Sequence, residues 1–255
     1  MFPQIICIMV KEGKDKHQLI DQLQQEILRW QGFKPLDHPT GKMDLGSLER
    51  AFPHSVFPTA CIHEFIETTP EQVAATLGFV GGILAALMGK SGVCLWIGPP
   101  NSLYPPAMKH FGVEPERIIF VEAYREKDIF SALEEALKCD QLIAAVAELR
   151  EMDFGQSLRL RLATEKSKAT GFVLRHNPVR MGNTACSARW KVIPLPSDSP
   201  GGMPGVGSPK WGVQLLKVRS GNPGYWELQW VNGRFISAAA SGKISGLPVL
   251  NRNTG

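Results

Sequence analysis

The chain has 255 residues, of which 44% are apolar and 20% charged, so it can bury a large core and is neither a disordered nor a fibrous sequence. Its five cysteines and six histidines are scattered, without CxxC, HxxxH or HExxH spacing, which argues against a zinc site or a disulfide framework. From residue 166 onward, twelve Lys and Arg accompany two acids, whereas residues 1–165 carry sixteen bases and twenty-two acids. A basic region of this kind is typical of a surface that meets an anionic partner.

Residues 1–58 are predicted to form an N-terminal strand, a helix and a linker. The opening apolar run lacks the basic residues and the small-residue cleavage site of a secretion signal, so it is expected to be a strand or a docking tail, with Met9 as an alternative start. Apolar residues recur every three to four positions from Leu19 to Trp30, which predicts an amphipathic helix. Four prolines and no sustained period over 33–58 predict a linker that crosses the surface.

From Ala60 onward, short apolar strands alternate with helices, which predicts an α/β domain with a mostly parallel sheet and helices on both faces. The predicted strands are 60–66, 93–97, 118–121, 142–146 and 171–174, and the predicted helices are 69–88, 105–111, 129–138 and 154–167. Thr69, Pro70 and Glu71 supply the first helix with a cap, a proline in its first turn and an acid near its N-terminus.

The last third of the chain is predicted to extend the sheet. Residues 190–193 indicate one more strand, and a loop rich in proline and glycine follows at 194–209. Residues 211–221 and 225–235 are expected to form a β-hairpin with a turn at Asn222-Pro223-Gly224. The core domain is therefore predicted to span 59–235, with a disordered tail at 236–255.

The segment that joins the first strand to the first helix is where a parallel α/β domain commonly holds a phosphate. Here it contains no glycine to wrap a phosphate, no lysine to neutralise one, and two acids that would repel one; it reads Glu67, Thr68, Thr69, Pro70, Glu71, Gln72 and Val73. The Gly89-Lys90-Ser91 triplet is no phosphate loop either, because Leu84 stands where the first glycine belongs and the triplet ends a helix. Glu148 is interpreted as a surface or helix-capping acid. We therefore expect no enzymatic activity, no metal and no cofactor.

Several runs of the sequence resemble the ImuA proteins of bacterial mutagenesis cassettes. They are ACIHEF at 60–65, VCLWI at 93–97, RIIFVEA at 117–123, LRLRLATEKS at 158–167, GFVLR at 171–175, ARWKV at 188–192 and the closing stretch at 211–230. Members of that family are RecA-like in fold and related to the SulA cell-division inhibitors, so the resemblance implies a RecA-like core with an N-terminal helix and a C-terminal β-hairpin. Against the RecA pattern, Val73 or a neighbour replaces the Walker A lysine and Ala147 replaces the Walker B acid.

The resemblance implies a non-catalytic accessory role in SOS-induced error-prone translesion synthesis and DNA repair. Its implied partners are ImuB, an inactive relative of Y-family polymerases, together with RecA and a C-family error-prone polymerase. It implies a cytoplasmic, nucleoid-associated protein, and no apolar run of transmembrane length indicates a membrane partner. Two alternatives stay open: a nucleotide-dependent RecA-like ATPase or DNA-binding protein, and a SulA-like inhibitor that binds the cell-division protein FtsZ.

The basic C-terminal third supplies the candidate binding surface for a partner or for nucleic acid. Basic residues interleaved with aromatic ones suit single-stranded DNA, through phosphate neutralisation and base stacking. A protein interface is the alternative, and Trp226, Leu228 and Trp230 share one strand face that would equally suit a hydrophobic core. The candidates are Lys166, Lys168, Arg175, Arg180, Arg189, Lys191, Lys217, Arg219 and Trp211.

Overall fold

The computed structural model describes residue 43 and residues 45–197 and 207–238. The predicted N-terminal strand and the helix from Leu19 to Trp30 lie outside these residues. So do the middle of the loop at 194–209 and the tail from residue 239 onward.

The described residues form α-helices, 3-10 helices and strands in the alternation that the sequence predicts over 60–175. The α-helices are α1 (Pro70–Met88), α2 (Glu126–Ala136) and α3 (Phe154–Lys166), and 3-10 helices occupy Gly46–Ala51, Pro53–Ser55, Pro105–Phe111 and Pro115–Arg117. The strands are β1 (Ile62–Glu67), β2 (Cys94–Gly98), β3 (Ile118–Glu122), β4 (Ala144–Leu149), β5 (Thr170–His176), β6 (Ala188–Pro194), β7 (Lys210–Val218), β8 (Gly224–Val231) and β9 (Arg234–Ser237).

The nine described strands form one mixed sheet in the order β3-β2-β4-β5-β1-β6-β7-β8-β9. Strands β1 to β6 pair with one another in parallel, whereas β7 pairs antiparallel with β6 and continues with β8 and β9 as an antiparallel meander. The α/β class with a mostly parallel sheet flanked by helices is thus confirmed. The predicted hairpin has a third strand, and because β9 runs through Ser237, Ile236 and Ser237 belong to the sheet and not to the predicted tail.

Helix α1 begins and ends where its local sequence predicts. The hydroxyl of Thr69 accepts a hydrogen bond from the backbone N–H of Gln72, and Pro70 occupies the first turn, where its missing N–H is not needed. Gly89 ends the helix at a φ of 47°, a conformation that favours glycine. The helix packs on one face of the sheet, while α2 and α3 pack on the other.

The packing of α1 against the antiparallel strands requires a glycine. A Cβ atom at Gly82 would lie 2.5 Å from the ring of Phe235 and 2.9 Å from the ring of Trp230. Among the described helices, α1 is the one whose length and mean hydropathy of 1.5 would also suit a membrane span, yet 61% of its apolar window is buried within the fold. Burial on that scale is what a core helix of a globular domain shows.

The described part of the predicted linker lies in the core and not across the surface. Leu45 and Leu48 are fully buried, and Phe52 and Phe57 are 4% and 2% exposed. The Glu49 carboxylate accepts hydrogen bonds from the backbone N–H groups of residues 43 and 45, which ties the start of the segment. The prediction of a surface linker is wrong here because prolines interrupt the period of a helix without making the apolar side chains between them less hydrophobic.

His63 of β1 anchors the end of this segment. Its Nε2 lies 2.8 Å from the carbonyl oxygen of Pro58, its Nδ1 accepts a hydrogen bond of 3.2 Å from the indole N–H of Trp190, and Phe57 stacks on its ring at 4.6 Å. Burial lowers the pKa of His63 to about 4, so the ring is neutral at physiological pH. Because Nδ1 accepts, the proton of the neutral ring is on Nε2, where it is donated to Pro58.

Candidate functional site at the carboxyl edge of the parallel strands

The carboxyl ends of β1, β4 and β5 meet at one edge of the sheet. In open α/β sheets, ligands bind in the crevice outside these strand ends. The segment from Glu67 to Val73, which the sequence identifies as a degenerate phosphate loop, begins at this edge and leads into α1.

The polar groups of this segment bond to one another. The backbone N–H and the hydroxyl of Thr68 both donate to the side-chain carbonyl of Gln72 at 3.0 Å, and the hydroxyl of Thr69 caps the helix. Glu67, the last residue of β1, is fully buried, with its carboxylate directed at the Nδ1 of His176 at 2.5 Å. A phosphate placed here would meet a buried carboxylate and not a lysine.

Glu148 is buried and not at the surface, contrary to the sequence-based interpretation. It is the fifth residue of β4 and only 6% exposed, and its carboxylate accepts hydrogen bonds from the indole of Trp96 at 2.8 Å and the hydroxyl of Ser102 at 2.6 Å. The reason is that β4 runs to Leu149, beyond the predicted end at 146, so strand alternation directs Glu148 to the same face as Val146.

His176 joins the two carboxylates. It is the last residue of β5, and its Nε2 lies 3.1 Å from Glu148 while its Nδ1 faces Glu67. We call Glu67, Glu148 and His176, with Trp96 and Ser102, the carboxyl-edge cluster. Because Nε2 is hydrogen-bonded to Glu148 and Nδ1 lies within ion-pair distance of Glu67, the ring is held as an imidazolium.

The pKa values of the cluster reflect this sharing. Burial alone would lower the pKa of His176, but hydrogen bonds to Glu148 and Glu67 outweigh it and raise the pKa to about 9. Burial also opposes the charged form of Glu148, yet hydrogen bonds from His176, Ser102 and Trp96 lower its pKa. Burial raises the pKa of Glu67 in spite of the neighbouring imidazolium.

The chemistry open to the carboxyl-edge cluster is limited by this internal pairing. Both His176 nitrogens are engaged with carboxylates, so neither is available as a proton acceptor for a substrate, and the Ser102 hydroxyl is donated to Glu148. Within residues 45–197 and 207–238, no three His, Cys, Asp or Glu side chains are grouped so that they could hold a metal ion. The cluster is therefore an internally paired polar group at the edge where a ligand would bind.

A second buried polar cluster lies on the opposite face of the sheet, around Glu64 of β1. The fully buried Glu64 carboxylate accepts hydrogen bonds of 2.8 Å from Arg175, Arg189 and Thr184. We call these four residues the Glu64 cluster. Arg175 is itself fully buried and Arg189 is 9% exposed, so these two candidates for nucleic-acid or partner binding lie inside the protein.

The remaining candidates do not converge on one surface. Trp211 is 3% exposed and packs edge-on against Phe79 of α1, so it is a core residue, and Lys217 donates to the backbone carbonyl of Thr184 at 3.0 Å. Lys191 on β6 is partly buried. The candidates with exposed side chains lie at two different ends of the sheet. Lys166, Lys168 and Arg219 lie towards the amino ends of the parallel strands, whereas Arg180 follows the carboxyl end of β5.

His176 was not among the residues predicted from the sequence, and Glu148 was predicted at the surface. The available signal was the position of polar residues within otherwise apolar parallel strands, since such residues are buried and need partners. Glu64, His63 and Glu67 all occur in one six-residue strand in which every residue is buried. Strand alternation separates Glu64 from the other two, but it does not reveal which residue of another strand each one meets.

Comparison with known proteins relates the chain to two groups. It is 34% identical over 205 residues to Protein ImuA of Caulobacter vibrioides, covering 75% of this chain and 84% of that protein. It is 26% identical over 127 residues to the cell division inhibitor SulA of Yersinia pestis, covering 49% of this chain and 74% of that one. The crystal structure of SulA from Pseudomonas aeruginosa aligns with a TM-score of 0.38 and 21% identity, over 44% of this chain and 97% of that one. No family model matches the chain.

Proposed function

The chain belongs to the ImuA family, and on that premise we propose that it is a non-catalytic accessory protein in SOS-induced error-prone translesion synthesis. The observation that carries the proposal is the carboxyl-edge cluster. Where a nucleotide-hydrolysing α/β protein presents glycines and a lysine to phosphates, this chain presents the buried Glu67 and Glu148 with His176 between them. An edge filled in this way lacks the groups that bind the phosphates of a nucleotide, which supports a role other than nucleotide hydrolysis.

The proposed partners are those that the family resemblance implies: ImuB, RecA and the C-family error-prone polymerase. The proposal includes a RecA-like ancestry for the sheet, loss of ATP hydrolysis, and work in the cytoplasm at the nucleoid. Direct contact with single-stranded DNA is a weaker part of it, because Arg175, Arg189 and Trp211 are buried and the exposed bases lie at two ends of the sheet.

Pull-down of the full chain with purified ImuB and with RecA, with and without ATP and magnesium, tests the adaptor role. We expect at least one of them to be retained without nucleotide. Sensitivity of that retention to salt would implicate the exposed bases at Lys166, Lys168, Arg180 and Arg219. Retention of neither protein, or retention only with ATP, would overturn the proposal.

Thermal unfolding with ATP and magnesium tests the loss of nucleotide binding separately. A ligand at one hundred times its Kd stabilises a protein by about 2.7 kcal/mol, a shift that is easily measured. We expect no shift for this chain, with RecA as the positive control. A shift that disappears in a Glu67→Gln, Glu148→Gln or His176→Gln variant would instead favour the nucleotide-dependent alternative.

The similarity to SulA favours a second candidate function, inhibition of cell division through FtsZ. This candidate predicts that overexpression causes filamentous cells in a strain without RecA, and that the purified chain reduces FtsZ polymerisation measured by light scattering. An adaptor of mutagenesis predicts neither effect.

A further inference from the structure

A groove with a volume of about 600 Å³ opens between the loop that follows β4 and the loop that follows β5. Its apolar lining includes Met152, Phe154 and Val179, and its basic lining includes Arg150 and Arg180. Phe154 at the start of α3 is 55% exposed, and Val179 in the loop after β5 is 73% exposed. We call this surface the β4–β5 groove.

The β4–β5 groove is held open by bonds to the sheet. The carboxylate of Glu151 accepts a hydrogen bond of 2.6 Å from the backbone N–H of Val179, which joins the two loops. The buried guanidinium of Arg175 donates to the carbonyl oxygens of Arg150 at 3.3 Å and Arg180 at 3.0 Å. Both walls are thus fixed by the Arg175 side chain of the Glu64 cluster, and a preformed site loses less entropy on binding.

The acidic side chains of the groove are bonded within the protein, whereas its two arginine side chains are not. Glu151 forms an ion pair with Arg175 at 3.3 Å, and Asp153 caps α3 by accepting from the backbone N–H of Gln156 at 2.7 Å. The side chains of Arg150 and Arg180 form no hydrogen bond or ion pair with any residue in the described ranges. The charge left for a ligand is therefore positive.

We propose that the β4–β5 groove binds an acidic peptide segment of a partner protein, with apolar side chains of that segment packed on Phe154 and Val179 and its carboxylates paired with Arg150 and Arg180. Phe and Arg, which the groove exposes at Phe154, Arg150 and Arg180, are residue types enriched at protein interfaces. A single-stranded nucleic acid fits less well, because Phe154 is the one aromatic side chain of the lining and the groove also contains Glu151 and Asp153.

Selection from a displayed library of random peptides, with the full chain as bait, tests the proposal. We expect enriched peptides that combine acidic and apolar positions, and we expect their affinity to fall by about tenfold or more in Phe154→Ala and in the double variant Arg150→Glu/Arg180→Glu. The matched controls are Leu162→Ala, at an exposed apolar residue of the same helix α3, and the double variant Lys90→Glu/Lys109→Glu, the same charge change at two exposed lysines that do not line the groove. Both controls should leave the affinity unchanged.

Three outcomes would overturn the proposal. They are the absence of any enriched peptide, enrichment of peptides that bind the groove variants as tightly as the unmodified chain, and binding of a labelled oligo-dT that the groove variants abolish. Because the groove residues are exposed, thermal unfolding of each variant should match that of the unmodified chain, so lost binding is not lost folding. The peptide selection requires neither a nucleotide nor ImuB. A negative outcome would therefore overturn the groove proposal and leave the proposed function standing.

Discussion

At the residue scale, two buried carboxylates of the carboxyl-edge cluster share one imidazolium as their charged partner. Glu67 is completely buried and Glu148 almost so, while one third of the His176 side chain is exposed. Removing a carboxylate from such a group removes a charge together with its burial penalty, whereas removing the imidazolium leaves two like charges unpaired. The three positions are therefore expected to respond very differently to mutation.

We predict that His176→Ala lowers the free energy of unfolding by about 2 to 3 kcal/mol, below the range for a fully buried pair because His176 is partly exposed. Urea unfolding at neutral pH measures the effect. Adding Glu67→Gln to the His176→Ala variant should restore part of the loss, since one buried charge is then removed. A double variant less stable than His176→Ala would contradict this account, and His110→Ala, at an exposed histidine, serves as the control.

Stability should also fall on the alkaline side of neutrality because of the same residue. A base whose pKa is raised on folding stabilises the folded state fully below its ordinary pKa, and that contribution is lost as the pH rises through the folded value. For His176 the window extends from the ordinary value of 6.5 to about 9. Urea unfolding at several pH values in this window should show decreasing stability, and His176→Gln should remove most of the slope. An unchanged slope in that variant would show that other groups titrate there.

At the element scale, α1 and the segment at 45–57 show how much the sequence determines. Thr69, Pro70 and Gly89 define α1 locally, and the apolar strands predict the parallel sheet, because both depend on neighbours along the chain. The burial of Phe52 and Phe57 was not predictable, because the surfaces that cover them come from β1 and β6. The carboxyl-edge cluster was missed for the same reason: its three charged members, Glu67, Glu148 and His176, are more than twenty residues apart in sequence.

At Gly82, where α1 meets β8 and β9, there is no room for a side chain. We predict that Gly82→Ala destabilises the protein by about 1 to 3 kcal/mol, because the new methyl group overlaps the rings of Phe235 and Trp230. Gly155→Ala in α3 is the matched control, since the nearest atom to its Cβ is 3.4 Å away and the position is exposed. The control should be neutral or slightly stabilising. Equal thermal unfolding temperatures for the two variants would contradict the close approach of α1.

At the scale of the whole molecule, one hydrophobic core joins the parallel strands to the antiparallel meander. The same cluster of buried side chains contains Trp96 of β2, Phe79 of α1 and Phe235 of β9, and β6 pairs with β1 on one side and β7 on the other. Neither half of the sheet therefore has a core of its own on this face.

We accordingly predict a single unfolding transition for the described fold. Far-UV and near-UV circular dichroism should follow the same urea curve, because secondary structure and the packing of the tryptophans are lost together. Trp211→Ala should move both curves to lower urea concentration by the same amount. A near-UV transition that precedes the far-UV one would show that the meander unfolds separately.

The contact between His63 and Trp190 has a spectroscopic consequence. The indole N–H of Trp190 is bonded to a ring that also holds Pro58 and stacks with Phe57, so the electronic environment of this one tryptophan depends on whether the segment at 45–57 is docked. Acid that protonates His63 removes the acceptor for the indole, and Trp190 emission should then shift towards that of a hydrated indole. Trp190 is thus an intrinsic optical reporter of the docking of residues 45–57, without any introduced dye.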